Sequence, residues 1–249
     1  EVLNNQNSLG CLLTYDSQKI YDPVKLSNKK FLINKKNVIK SKKLFIGFIG
    51  TGSYARKMIL PYLIKSNQNL NTAYSTGSID AFKIAKKYNF KYIKSINSKN
   101  VKYERKDNSI FISTPHHTHF NLLIEALKSN KKIFIEKPLC LTTKELSEIK
   151  KAYTISQSNF LMVGYNRRFS KFTHIINENL KGSNRKDLFS NYNINAGKLS
   201  TDTWHSEAIY SGGRIIGELC HFIDLLLYIH NSNIIDYNVI SLNSLDKES

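Results

Sequence analysis

Cysteine, arginine, acidic residues and long apolar runs are all scarce in this chain, and each scarcity closes off a class of protein. The three cysteines, Cys11, Cys140 and Cys220, stand far apart with no C-x-x-C pair. Neither a disulfide framework nor a zinc knuckle is therefore expected, and a reducing, cytoplasmic setting fits better. The longest apolar run, around Leu219 to Ile229, is broken by His221 and Asp224. It is too short and too polar to cross a bilayer, and no stretch reads as a signal peptide, so no membrane partner is expected. Only 19 residues are acidic against 37 basic ones, of which six are arginine. The resulting net charge of +18 comes from lysines spread along the whole sequence. That spread reads as a solvated surface rather than a nucleic-acid face, so no nucleic-acid partner is expected, while a mild attraction for anionic ligands such as nucleotides remains.

What is present describes a globular protein. With 249 residues, 41% of them hydrophobic and 22% charged, there is length for one large or two modest domains with a real core. The chain starts on Glu1 and its last stretch carries no closing motif, which reads as a piece of a longer protein. Residues 1–43 do not fit the pattern that follows. Gly10 to Tyr15 is a short strand candidate, and Lys25 to Lys43 holds eight lysines and no acid, as a basic, exposed connector would.

The most informative stretch is Lys43 to Ala55. An apolar run, Leu44 to Ile49, feeds into Gly50-Thr51-Gly52-Ser53-Tyr54-Ala55 and then into a helix opening at Arg56. This is the spacing of a dinucleotide-binding strand, turn and helix. Gly50 permits the turn, Gly52 lets a pyrophosphate approach the backbone, and Ala55 lets helix and strand pack closely. The free N–H groups of the helix start then face the phosphates.

Further strands and helices alternate along the chain. A helix over 53–65 is expected to be kinked or shortened by Pro61. A strand over 71–75, a helix over 79–88, a strand over 109–113 and a helix over 120–128 follow. Next come a strand over 132–135, a helix over 142–153 and a strand over 160–163. Such alternation predicts a doubly wound parallel sheet with ligands beyond the carboxyl ends of its strands. The second strand ends in Ser75-Thr76-Gly77-Ser78, where an acid would hold the adenosine ribose. Without that acid both NAD and NADP are allowed.

Thr114, Pro115 and His116 end the next strand, with His119 at the following helix start, and Glu136-Lys137-Pro138 ends the one after. Lys137, pinned by Pro138, would project its ammonium into the crevice where nicotinamide and substrate meet. Partly desolvated, it would exchange a proton with a substrate hydroxyl. His116, His117 and His119 lack the i, i+4 face of a helical zinc site and no carboxylates accompany them, so no metal is expected.

Together with Gly164-Tyr165-Asn166-Arg167-Arg168-Phe169, and Gly212-Gly213 followed by His221 and Asp224, these blocks resemble the Gfo/Idh/MocA oxidoreductase family over residues 44 to about 230. The resemblance implies a Rossmann-like doubly wound parallel sheet, here at residues 44–164. An α+β substrate domain would follow at 165–249, too short to be complete, with strands over 188–194 and 234–240. It implies NAD(P)-dependent oxidation or reduction of a sugar, nucleotide-sugar or related polyol. Lys137 maps onto the family's Glu-Lys-Pro lysine and His221 onto its late histidine, the two catalytic candidates.

Some members carry an Asp four residues before that histidine, where this chain has Gly217. On the expected helix over 214–228, Arg214, Glu218, His221 and Asp224 share one polar arc. We read that arc as facing substrate, with Asp224 orienting His221. Tyr165, Asn166, Arg167, Trp204, Glu218 and Asp224 are the substrate-contact candidates. Gly50 to Ala55, Ser75, Thr76, Thr114 to His116, His119, Glu136 and Lys137 are the cofactor candidates. The wording from Asn195 to Lys198 and Ser211 to Asp224 resembles proteins in which a zinc-type alcohol dehydrogenase module precedes this one, which would make 1–43 its tail and linker. Homo-oligomerisation through the second domain's sheet is expected of the full-length protein. The alternative reading is a non-catalytic dinucleotide sensor, for which Gly217 speaks.

Overall fold

The computed structural model describes residues 29–34, 44–77, 79–97, 101–158, 160–197 and 207–240. Seven strands form one sheet in the order β1-β4-β3-β2-β5-β6-β7. They are β1 (Lys30–Leu32), β2 (Phe45–Ile49), β3 (Asn69–Ser75), β4 (Tyr92–Ser95), β5 (Ser109–Ile112), β6 (Lys132–Ile135) and β7 (Leu161–Val163). All neighbours are parallel except β1, which pairs antiparallel with β4 at the edge. The sheet grows outward in both directions from β2 and β5. Their carboxyl ends mark the point where connections diverge to opposite faces, and a crevice opens there.

Both faces are covered, which is why β2, β5 and β6 are nearly continuous apolar runs rather than alternating, while β3 also buries the polar Asn69, Asn71 and Thr72. Ile46, Phe48, Ala73 and Ile93 face one way and pack with Ala55, Leu60, Ala81, Ile84 and Ala85. These last come from a π-helical turn, Ala55–Ile59, the helix α1 (Leu60–Lys65) and the helix α2 (Ile79–Lys87). Ile49, Ile110, Ile112, Ile133 and Ile135 face the other way, against Leu122, Leu123, Ala126, Leu127 and Ile149 of α3 (His119–Lys128) and α4 (Thr143–Ile155). The expected effect of Pro61 is visible. Its ring crowds the preceding turn, so it sits at the start of α1 behind a turn widened to π geometry.

Two strands escaped the sequence pattern. β4 buries only Ile93 and Lys94 fully. β1 lies inside the stretch read as a basic connector and is exposed at all three positions. Lys30 and Lys94 both pair with Glu104, at 2.6 and 2.8 Å. The Lys-rich segment is thereby drawn to the sheet edge by an acid more than 60 residues away.

Beyond β7 the chain is helical, with α5 (Lys171–Asn179), α6 (Ala208–Ser211), a second π-helical turn, Ile215–Leu219, and α7 (Cys220–His230). The strands expected over 188–194 and 234–240 are not formed: both segments are irregular and largely exposed. Phe189, Ile235 and Tyr237 point into solvent, and among the described residues no neighbouring strand supplies a ladder. Among the described residues no helix is long and apolar enough to cross a membrane.

Candidate active site

The glycine turn is built as the sequence requires. Gly50 has φ +88°, and a Cβ there would lie 2.0 Å from the Ser113 carbonyl oxygen of the adjoining strand end. Gly52 is the opposite case, because a Cβ there would meet no protein atom within 4 Å. The protein leaves that space open beside the first turn of helix, where the backbone N–H groups are unpaired within the helix. Ala55, fully buried, holds the turn against the sheet.

Two cavities flank this turn. One, of about 370 Å³, lies between Gly50-Thr51, the β3 end at Ser75-Thr76, and Thr114-Pro115. The other, of about 420 Å³, is bounded by Gly52 to Ala55, by Ser113 to His116, and by Glu136, Lys137, Asn166 and His221. Thr114 and Pro115 border both. A two-part crevice centred on an open glycine fits a dinucleotide, with its pyrophosphate over Gly52 and its two halves in the two cavities.

The loops that carry the polar groups are tied together. His119 is completely buried and lies off the cavity wall. Its Nδ1 is 2.7 Å from the Pro138 carbonyl oxygen and its Nε2 2.9 Å from that of Thr114, so it joins the loops after β5 and β6. Burial holds its pKa below the usual histidine range against the pull of those two carbonyls. The loop holding Lys137, whose bond to Pro138 is cis, is secured at its far end by a capping box. Thr142 Oγ1 accepts from the Glu145 N–H, and Glu145 accepts from the N–H of Thr142. That arrangement satisfies two donors at the start of α4.

Lys137 reaches across the crevice, and its Nζ donates to the Gly217 carbonyl oxygen at 2.7 Å. Burial lowers its pKa, offset by Cys220, Glu136 and Glu218, while Arg167 lowers it further. His116 Nδ1 lies 2.8 Å from the Ser211 carbonyl oxygen, a partner that requires the proton on Nδ1. The segment from Ser211 to Gly217 therefore supplies two backbone acceptors, to His116 and Lys137 on the loops after β5 and β6. Its geometry depends on Gly212, at φ +82°, where a Cβ would lie 2.8 Å from Leu141 Cδ2. At Gly217 a Cβ would lie 3.2 Å from the Ser211 oxygen and 3.6 Å from His116 Cε1. Any side chain there has to press that turn aside.

His221 lines the same cavity, its ring edge-on to Tyr165 with centroids 6.2 Å apart. Its buried Nδ1 has no hydrogen-bond partner among the described residues. Burial, then Lys137 and Arg167, push its pKa down to about 4 against the pull of Asp224, so the ring is neutral at physiological pH. Burial also pushes the Tyr165 hydroxyl up to about 12.

Glu136 lies at the cavity wall beside Gly164, where a Cβ would come within 2.8 Å of Oε1. Its carboxyl is pushed up to about 7 by burial, although the Lys137 N–H and the Lys137 charge pull it back. The sign of the resulting pH dependence follows. The ordinary value is 4.5, so the folded chain holds this proton more tightly than the unfolded one. The stabilisation is complete below that ordinary value and is lost as pH rises through about 7. Glu136→Gln keeps the shape and removes the ionisation. Its melting temperature should therefore fall less than the wild-type one between mildly acidic and mildly alkaline buffer, and parallel curves would refute the assignment.

Asp224 does not face His221 as an orienting partner. It is buried and bound bidentately by Arg168, whose Nε lies 2.6 Å from Oδ2 and whose second terminal nitrogen meets Oδ1. The guanidinium pKa is raised by this contact. The pair ties α7 to the segment after β7 and uses up the acid expected to touch substrate. Arg167 stacks over the Phe222 ring at 4.3 Å. Asn166 donates to the Tyr54 hydroxyl at 2.9 Å, closing a contact between the glycine turn and the strand β7 end. Glu218 is partly buried, its Oε2 3.4 Å from Arg214 Nε. Trp204 lies outside the described residues. Sequence reasoning missed Ser211, whose buried backbone acceptor is signalled only by the double glycine that follows it, and Arg168, whose partner is 56 residues away.

The match to known proteins agrees with this geometry. Residues 44–165 match the Gfo/Idh/MocA oxidoreductase family model, described as an NAD-binding Rossmann fold. Over that stretch the chain is similar to this family of NAD-binding oxidoreductases.

Solved structures with the same fold include a levoglucosan dehydrogenase in complex with NADH and levoglucosan. It is 20% identical with a TM-score of 0.64, over 76% of this chain and 54% of that one. A probable dehydrogenase from Thermotoga maritima is 19% identical with a TM-score of 0.61, over 77% and 56%. The WlbA (WbpB) dehydrogenase from Thermus thermophilus, in complex with NAD and UDP-GlcNAcA, is 16% identical with a TM-score of 0.59, over 75% and 62%. The chain thus spans a little over half the length of the structures it matches.

Proposed function

We propose that this chain carries the cofactor half and part of the substrate site of an NAD(P)-dependent oxidoreductase acting on a CH–OH group of a sugar, nucleotide-sugar or related polyol. The observation that carries the reading is the convergence of Lys137 and His221 on the cavity beside the open face of Gly52. The backbone from Gly52 to Ala55 would hold the pyrophosphate, Ser75 and Thr76 the adenosine ribose, and Thr114 to His116 with Glu136 the nicotinamide half. When bound, the dinucleotide supplies or accepts the hydride.

The chain's own residues handle the proton. Lys137, with its pKa lowered by burial, gives a proton to the developing alkoxide in reduction or takes it from the hydroxyl in oxidation. The Gly217 carbonyl aims the ammonium where some relatives of this family place a carboxylate. Neutral His221 accepts a hydrogen bond from a neighbouring, non-reacting substrate hydroxyl and so fixes the substrate's orientation, with Tyr165 packed edge-on against the ring. Arg167 and Asn166 border the substrate side, where Arg167 can meet an anionic group such as a diphosphate. The sugar class is supported by the levoglucosan and UDP-sugar complexes of the similarly folded dehydrogenases.

A second reading, a non-catalytic dinucleotide sensor, is favoured by Gly217, which leaves the site without that carboxylate. The two are separated by a panel of sugars, polyols and nucleotide-sugars. Substrate-dependent change in nicotinamide absorbance with the full-length protein is expected. Saturable cofactor binding with no absorbance change across the panel would instead support the sensor.

A further inference from the structure

His116 does more than border the cavity. It is buried, and its ring reaches the stretch from Ser211 to Gly217 at both ends. At one end its Nδ1 donates to the Ser211 carbonyl oxygen at 2.8 Å. At the other, the position a Gly217 Cβ would take lies 3.6 Å from Cε1 and 3.8 Å from Nδ1, so the ring edge packs beside Gly217. Ser211 is itself buried and held on both sides. Its Oγ donates to the Glu207 carbonyl oxygen at 3.0 Å and accepts the Gly213 N–H at 3.0 Å. Orienting the Ser211 carbonyl therefore orients the double-glycine turn that leads to Gly217, whose own carbonyl oxygen holds Lys137 Nζ at 2.7 Å. These contacts close a ring, because His119 joins the loop that carries His116 to the loop that carries Lys137. Beside it the His117 ring meets Tyr210 edge-on, with centroids 5.0 Å apart.

We propose that His116 is a positioning residue for Lys137: by donating to the Ser211 carbonyl it fixes the turn whose Gly217 carbonyl aims the ammonium at the reacting hydroxyl. The inference rests on the proton-exchange role given to Lys137 above. A carbonyl can direct a long lysine side chain only as firmly as its own backbone is held. Gly212 and Gly213, both at positive φ, form the most pliant part of that backbone, and the His116 N–H removes their freedom. A displacement of about 1 Å at a reacting group costs on the order of a hundredfold in rate.

His116→Leu and His116→Asn test the role. The two side chains have nearly the same branched shape, but asparagine alone keeps an N–H near the place of Nδ1. Both are compared with the wild type and Lys137→Ala in the full-length protein, at saturating dinucleotide and with the substrate found by the panel. The leucine variant is expected to lose about ten- to a hundredfold in kcat, with KM and the dinucleotide Kd within a few-fold of wild type, and the asparagine variant to recover most of that loss. Backbone amides from Ser211 to Leu219 should exchange hydrogen faster in the leucine variant than in the asparagine one, a readout that needs no substrate. In the Lys137→Ala background, leucine at position 116 should lower kcat no further, because its effect passes through the ammonium. Wild-type kcat in the leucine variant, equal losses in both variants, or an additive loss in the double variant overturns the inference. Lys137→Ala at wild-type turnover overturns the role of Lys137 itself, a failure recognised without the His116 variants.

Discussion

Lys137→Ala is expected to lower kcat by roughly a thousandfold with the substrate found by the panel, while the dinucleotide Kd moves only a few-fold. The asymmetry follows from where the ammonium sits. Its Nζ is held across the crevice by the Gly217 carbonyl oxygen at 2.7 Å. Burial weakens its hold on the proton. Removing the group takes away the proton exchange with the reacting hydroxyl, a loss of about 4 kcal/mol of transition-state stabilisation for that factor. The backbone of the glycine turn, which would hold the pyrophosphate, is left intact by the substitution. Lys137→Arg separates charge from chemistry. A guanidinium keeps the positive charge and holds its proton at any accessible pH, so it should be nearly as slow as the alanine variant. If the arginine variant kept wild-type turnover, Lys137 would be an electrostatic anchor and the proton would travel elsewhere. Steady-state kinetics of both variants, with Kd from fluorescence, decides it.

The second large effect separates two glycines that look alike in the sequence. Gly50→Ala places a Cβ 2.0 Å from the Ser113 oxygen and 2.4 Å from its carbon, on a residue at φ +88°. Neither contact is with a flexible side chain, so the β2 and β5 ends must separate. The combined backbone and packing penalty is roughly 2 to 5 kcal/mol. Chemical denaturation should therefore show a clear loss of stability. Gly52→Val should behave in the opposite way. Its side chain enters open space, so the melting temperature should stay near wild type while dinucleotide affinity falls by roughly tenfold or more. A destabilised Gly52→Val, or an unaffected Gly50→Ala, would mean that Gly52 does not face open space or that Gly50 is not pressed against Ser113.

Much of this arrangement was legible in the sequence because the parallel sheet is written in local terms. The strands β2, β5 and β6 are short apolar runs, the helices between them are amphipathic segments, and the strand ends carry the glycines, Thr114-Pro115 and Glu136-Lys137-Pro138. Helix and strand limits moved by a residue or two, as fraying ends do. β1 was illegible because an exposed, lysine-rich edge strand has no burial pattern to show; its place is set by Tyr92–Lys94 on β4 and by Glu104. The opposite error arose over 188–194 and 234–240. Strand-forming residues such as Tyr192, Ile194, Val239 and Ile240 stand there with no partner strand among the described residues, and strand preference is realised only against a neighbour.

Within the site, the residue types were readable and the pairings were not. Asp224 sits on the same helical arc as His221, which made it look like its orienting acid. Arg168, 56 positions earlier, takes both of its oxygens instead. Likewise, nothing local says that the Gly217 carbonyl would receive Lys137. The clue is indirect: a glycine in an otherwise apolar helix, where the turn opens to π geometry and a backbone oxygen becomes the useful group.

The central claim is that the crevice around Gly52 holds a nicotinamide dinucleotide, and native mass spectrometry of the purified protein with NADH or NADPH tests it most directly. One dinucleotide per chain is expected on the wild type and none on Gly52→Val under the same conditions. A wild-type chain that stays bare with both cofactors in excess, or a Gly52→Val chain that binds as fully as the wild type, would contradict it.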